Sequence, residues 1–130
     1  MQFILDMATG VPVYRQIIDQ VMGSIASGAL KPGDQLPTVR QMAVDLAVNP
    51  NTVVRAYREL ELRGVLDTQH GTGTFITQRK MKRNDAERQR QLTQLVRDFV
   101  ARAGTAGFTL VEVDEALEEL RNDPQTKKKA

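Results

Sequence analysis

The sequence predicts a mainly α-helical chain with one small β-hairpin, in the order three short helices, hairpin, two further helices. Three observations predict it. Apolar residues recur at helical spacing between Tyr14 and Leu60, in runs separated by clear stop and start signals. The period then shortens in VLDTQ (65–69) and GTFIT (73–77), on either side of the glycine-containing HGTG (70–73). Helical spacing returns from about Lys82 and is interrupted once, at GTAGFT (104–109).

Each element has a local reason. MQFIL (1–5) is a short apolar segment, read as a strand or an extended arm. Pro12 suits a first helical turn, where its missing N–H would have no partner in any case. Tyr14, Ile17, Ile18, Val21, Met22 and Ile25 then form one apolar stripe, and Gly28 is a stop signal. LKPGDQLP (30–37) reads as a turn with a short extended piece. Thr38 is placed to cap a second helix, whose Val39, Met42, Ala43 and Leu46 follow i, i+3, i+4, i+7 spacing. AVN (47–49) is a tight connection, and Asn49 with Pro50 opens a third helix that ends at Gly64. After the hairpin, Leu92, Leu95, Val96, Phe99, Val100 and Ala103 make a wide stripe. Thr109 and Glu112 have capping-box spacing ahead of Leu110, Val113, Leu117 and Leu120. Three short helices followed directly by a glycine-tipped hairpin form a winged helix-turn-helix. The predicted division is a winged unit over 1–78 and a two-helix tail over 79–130, with tail helices at about 82–104 and 109–122.

Composition narrows the function classes. The chain has 130 residues, 41% hydrophobic and 26% charged, a globular balance. It has no cysteine and one histidine, so thiolate chemistry is excluded and a metal role is poorly supported. No nucleophile–base pairing is visible, and the expectation is no enzyme and no cofactor. No apolar run reaches the roughly 20 residues of a membrane span and the N-terminus does not read as a signal peptide, so a cytoplasmic protein away from the membrane is expected. Net charge is only +2. Seven basic and seven acidic groups cancel over residues 1–79, and the excess lies beyond, in a basic cluster near 80 and in Lys127–Lys129. Those clusters read as a solvated linker and a frayed end.

The helix over 49–63 carries the chemistry. At about 100° per residue, Val53, Ala56, Tyr57 and Leu60 fall on one arc and Asn51, Thr52, Arg55, Arg58 and Glu59 on the opposite one. The apolar arc must pack on the first two helices, which leaves the polar arc for a partner. A helix in the major groove of DNA presents base-contacting side chains near its N-terminus. Asn pairs with adenine, Thr bonds a base or touches a thymine methyl, and Arg reaches guanine or phosphate. Asn51, Thr52 and Arg55 stand where this requires, whereas Asn49 reads as a cap. Arg40, in the first turn of the second helix, suits a backbone phosphate. For His70, at the hairpin tip, two readings stand: an ordinary turn residue, or a minor-groove contact.

The stretch PVYRQIIDQVMGSIASGALKPGDQLPTVRQMAVDLAVNPNTVVRAYRELELRGVLDTQHGTGTFI (12–76) resembles the winged helix-turn-helix of the GntR family of bacterial transcription regulators. Its combined pattern, G.L.PGD.LP..R.MA..L.V with a helix and a glycine wing, is specific to that family. Only about 50 residues follow the wing, and with NPNTVVRAYREL (49–60) this is similar to the YtrA subfamily. The resemblance implies a homodimeric repressor, of its own or a transporter operon, that dimerises through the short helical tail. It also implies DNA contacts at Thr38, Arg40, Asn51, Thr52, Arg55 and the wing residues His70, Gly71 and Gly73. One departure stands out. Many members of other branches carry arginine at the positions of Pro50 and Val54, so base preferences do not transfer from them.

The expected partners are therefore double-stranded DNA with a roughly palindromic operator, and a second copy of the chain. The tail stripe is too apolar to leave uncovered: either it folds back on the winged unit of its own chain or, more simply, it meets the same stripe of a second chain, and Leu92, Leu95, Val96, Phe99, Val100, Leu110, Val113, Leu117 and Leu120 are the expected dimerisation residues. An unidentified small-molecule effector would sit at the dimer interface or between tail and winged unit. The competing reading is a winged helix used for protein contacts without DNA; the Asn/Thr/Arg face argues against it.

Overall fold

The computed structural model describes residues 3–78 and 84–122, and these form two compact units. The basic cluster near residue 80, the expected helix start at Lys82 and the basic end lie outside the described residues. The first unit runs α1 (Val13–Ser27), β1 (Gln35–Leu36), α2 (Val39–Leu46), α3 (Pro50–Leu62), β2 (Leu66–Gln69) and β3 (Gly73–Ile76).

The caps form as their residue types dictate. Pro12 stands just outside α1, and its carbonyl accepts the N–H groups of Arg15 and Gln16 at 3.0 and 3.1 Å. Thr38 Oγ1 accepts from the Gln41 N–H at 3.0 Å and opens α2. Asn49 Oδ1 accepts from the Asn51 N–H at 2.8 Å, with Pro50 at the first helical position of α3. Between these helices Ala47 adopts φ 56°, an uncommon left-handed conformation for a residue with a Cβ. It lets the Val48 N–H reach back to the Ala43 carbonyl at 3.0 Å, which turns the chain sharply enough for α3 to cross α2.

The core is the meeting of the three stripes. Ile17, Ile18 and Val21 of α1, Met42 and Ala43 of α2, and Val53, Ala56, Tyr57 and Leu60 of α3 are buried together with Leu30, Leu36, Leu66 and Ile76. Tyr14, Ile25, Val39 and Leu46 pack at its edge. Met22 was expected inside and is exposed. It lies at the rim of the α1 stripe, about 90° from the stripe's centre at 100° per residue.

Among the described residues Tyr57 is the one buried core residue with a polar handle. Its hydroxyl donates to the Pro37 carbonyl at 2.7 Å, which ties α3 to the residue before the α2 cap. Burial raises the Tyr57 pKa well above the ordinary phenol value. The folded chain therefore keeps a proton that the unfolded chain releases, so this contribution to stability is present below the unfolded pKa of about 10 and is lost as pH rises beyond it. Tyr57→Phe is expected to cost about 1 kcal/mol, because the Pro37 carbonyl loses its donor. It should also flatten the loss of stability above pH 10. Urea titrations at neutral and alkaline pH check both; an unchanged alkaline slope would count against this assignment.

The wing is larger than the two-stranded hairpin expected. β3 is the central strand of a three-stranded antiparallel sheet in the order β1-β3-β2, with Gln35 opposite Phe75 and Leu36 opposite Thr74. β1 has two residues, too few to display an alternating pattern. It is a strand only because β3 lies beside it, with the Ile76 N–H donating to the Asp34 carbonyl at 2.8 Å.

Residues 1 and 2 of the expected N-terminal segment lie outside the described residues, and residues 3–6 form an extended arm, not a strand. Phe3 and Leu5 pack on the core, and two glutamines one turn apart on α1 hold its backbone. Gln20 takes both the N–H and the carbonyl of Ile4. Gln16 accepts the Asp6 N–H at 2.8 Å and donates to the carbonyls of Asp6 and Val11 at 2.8 and 2.9 Å. The two side-chain amides do the work of a neighbouring strand.

The second unit is a helical pair, α4 (Asp85–Thr105) and α5 (Leu110–Arg121). Asn84 caps α4, and Asp85 and Glu87 suit the positive end of its dipole. The capping box at Thr109 and Glu112 forms in both directions. Among the described residues no helix is long and apolar enough to cross a membrane.

Candidate nucleic-acid interface

α3 buries one arc and presents the other. Val53, Ala56, Tyr57 and Leu60 are buried, while Asn51, Arg55 and Arg58 are exposed and Thr52 is half-buried. The cap at Asn49 matters here. It occupies the Asn51 backbone N–H and leaves the Asn51 side-chain amide unused. Among the described residues Arg40, Arg55 and Arg58 have no carboxylate at salt-bridge distance. Two of the neighbouring acids are engaged elsewhere: Glu59 pairs with Arg63 at 3.5 Å, and Asp45 accepts from the Gln41 amide at 2.7 Å. An exposed helix start with free amide and guanidinium donors can meet base edges and phosphates alike.

Thr38 and Arg40 sit together at the exposed start of α2. The Thr38 oxygen accepts within the cap, and its O–H remains able to donate outward.

His70 and Gly71 are exposed in the turn between β2 and β3, which is closed by the Thr72 N–H donating to the Gln69 carbonyl at 3.0 Å. Gly73 is not in the turn but is the first residue of β3, paired with Gln69. Its φ of 137° strains any residue with a side chain, and an added Cβ would meet the Gln35 amide. Gln35 itself donates to the Thr72 carbonyl at 3.2 Å and so braces the wing from β1. Gly73 thus has a structural reason that the sequence pattern did not reveal. Gln35 was missed because β1 was not recognisable, and the placing of Arg58 beside Asn51 and Arg55 was legible on the helical wheel.

In the second unit Leu92, Leu95, Val96 and Phe99 of α4 and Leu110, Leu117 and Leu120 of α5 are exposed, at 47–67% of their full area. Val100 is half-buried. Val113, also expected among the dimerisation residues, is 8% exposed in the single chain. A groove of about 700 Å³, walled by Phe99, Ala103, Phe108, Ala116 and Leu117 among others, opens between the two helices.

Comparison with known proteins agrees with this geometry. Residues 13–76 match the family model of bacterial regulatory proteins, gntR family. The chain is 34% identical over 125 residues to the HTH-type transcriptional repressor YtrA of Bacillus subtilis, covering 96% of each chain. Among solved structures it superposes on YtrA from Sulfolobus acidocaldarius, a GntR-family transcription factor, with a TM-score of 0.57 and 31% identity over 79% of this chain and 97% of that one. It also superposes on the DNA-binding domain of AraR in complex with operator ORE1, with a TM-score of 0.50 and 26% identity over 59% of this chain and 94% of that one. The helix-turn-helix, the glycine wing and the short helical tail thus find their counterparts together, and the chain belongs to the GntR family of bacterial transcription regulators, in its YtrA branch.

Proposed function

We propose that the protein is a homodimeric repressor that reads a roughly palindromic operator, in front of its own or a transporter operon. The observation that carries this reading is the outward face of α3, where Asn51, Arg55 and Arg58 are exposed together and, among the described residues, Arg55 and Arg58 have no ion pair. In this reading Asn51, Thr52 and Arg55 meet base edges in the major groove, and Thr38 and Arg40 grip the flanking phosphates. The wing tip at His70 and Gly71 lies along the adjacent backbone or minor groove. The AraR domain bound to its operator supports such docking for a related winged unit. The exposed apolar residues of α4 and α5 meet their copies in a second chain, and a small-molecule effector has its natural place in the groove at that interface.

Footprinting on DNA upstream of the gene and its neighbours tests this reading. A protected site with two related half-sites one or two helical turns apart is expected, and protection that ignores sequence would refute it. Arg40→Ala should weaken binding to operator and random DNA by similar factors. It should also lower the slope of log affinity against log salt by about one, as loss of a single phosphate contact does. Anisotropy titrations at several salt concentrations read both effects; a loss confined to the operator would make Arg40 a base reader instead.

A further inference from the structure

Arg55 does not project freely from α3. Its guanidinium carbon lies 3.8 Å from the centroid of the Tyr14 ring, which belongs to the first turn of α1. The ring packs at the edge of the core, so it is the fixed partner, and the arginine is the side chain that is held. The alternatives on its own helix are closed. Glu59, one turn onward, is paired with Arg63 at 3.5 Å. Among the described residues nothing else takes the guanidinium by hydrogen bond or ion pair.

The geometry of the contact matters more than its strength. Stacking on a ring uses the flat face of the guanidinium and leaves its N–H donors, which lie in the plane, unoccupied. With the guanidinium carbon over the ring and, among the described residues, no hydrogen bond or ion pair on its nitrogens, the fork keeps donors for bidentate recognition of a guanine or a phosphate. An unheld arginine would instead lose much of its rotamer freedom on meeting DNA.

We infer that Tyr14 is a positioning residue for DNA recognition, fixing the Arg55 guanidinium in a binding-ready orientation before DNA arrives. This rests on the proposed role of Arg55 at the operator. The stack itself is read without DNA, by NMR of the full chain. The Arg55 side-chain protons should be shifted upfield by the Tyr14 ring current, relative to those of the exposed Arg40. Absence of that shift overturns the inference without touching the role of Arg55.

Operator affinity is then measured in a mutant cycle. Tyr14→Leu should weaken operator binding about two- to fivefold, which is what an exposed cation–π contact of about 0.5–1 kcal/mol amounts to at 1.4 kcal/mol per tenfold. It should have no further effect in the Arg55→Ala background, and Tyr14→Phe, which keeps the ring, should retain most of the affinity. An equal loss with and without Arg55 would mean that Tyr14 acts on DNA or on the fold directly, and overturns the inference. So does a Tyr14→Phe loss as large as that of Tyr14→Leu, which would assign the effect to the hydroxyl. If the ring-current shift is present but Arg55→Ala leaves operator affinity unchanged, the role of Arg55 falls and the inference falls with it.

Discussion

Deletion of residues 82–130 is expected to leave a folded, monomeric winged unit whose affinity for a two-half-site operator falls by about 10²–10⁴-fold, the gain that joining two binding modules typically supplies. The core of Ile17, Ile18, Val21, Met42, Val53, Tyr57, Leu60, Leu66 and Ile76 lies wholly within the first unit, so that unit keeps its own hydrophobic support. What the deletion removes is the apolar surface of α4 and α5, on which Leu95 is 67% and Phe99 54% exposed. Contiguous apolar surface of this kind is rarely left in water. Leu95→Glu with Phe99→Glu makes the same test in the full chain, since burying unpaired carboxylates at an interface is strongly unfavourable. Sedimentation velocity read beside operator titration decides the matter. A dimer that survives either change would place the interface elsewhere, and a monomer with undiminished operator affinity would remove dimerisation from the mechanism.

The second large effect belongs to α3. Asn51→Ala and Arg55→Ala are each expected to cost about 1–3 kcal/mol of operator binding, the usual discrimination of a bidentate base contact, or roughly five- to 150-fold. Binding to random DNA should change far less, because phosphate contacts dominate there. Neither side chain belongs to the core. Asn51 is exposed and its backbone N–H is bonded by Asn49, while Arg55 is exposed and lies over the Tyr14 ring. Thermal melting should therefore be unchanged for Asn51→Ala and fall by only a few degrees for Arg55→Ala, the loss of one exposed cation–π contact. Equal losses on operator and random DNA would reassign these residues to the phosphate backbone.

Most of the helical framework was legible because its signals are local. Thr38, Asn49 and Thr109 cap helices with their own side chains, and Gly28 and Gly64 end them in left-handed conformations. The buried arc of α3 followed from spacing alone, since a regular helix turns a sequence interval into an angle. The wing was legible only in part. Its hairpin pattern is local, whereas β1 depends on β3, a partner about 40 residues away in the chain. Gly73 shows the same limit: its glycine suggested close approach to DNA, and the Gln35 amide beside it supplies a reason within the fold. For Val113, apolar spacing marked a stripe residue but could not tell whether the chain itself or a second copy covers it.

By itself the sequence determined three helices and a glycine wing, the polar face of α3 with Asn51, Thr52 and Arg55, and an amphipathic two-helix tail. These properties depend on residue type and interval, and no distant contact is needed to read them. Only the tertiary structure decided that β1 completes the sheet, that Gln16 and Gln20 hold the N-terminal arm, and that Arg55 rests on Tyr14. The β1–β3 pairing and the Tyr14–Arg55 stack join elements about 40 residues apart, and the glutamine contacts depend on side chains of α1 reaching back to the arm that precedes it. Their existence follows from how α1, α3 and the wing pack, which no local pattern encodes.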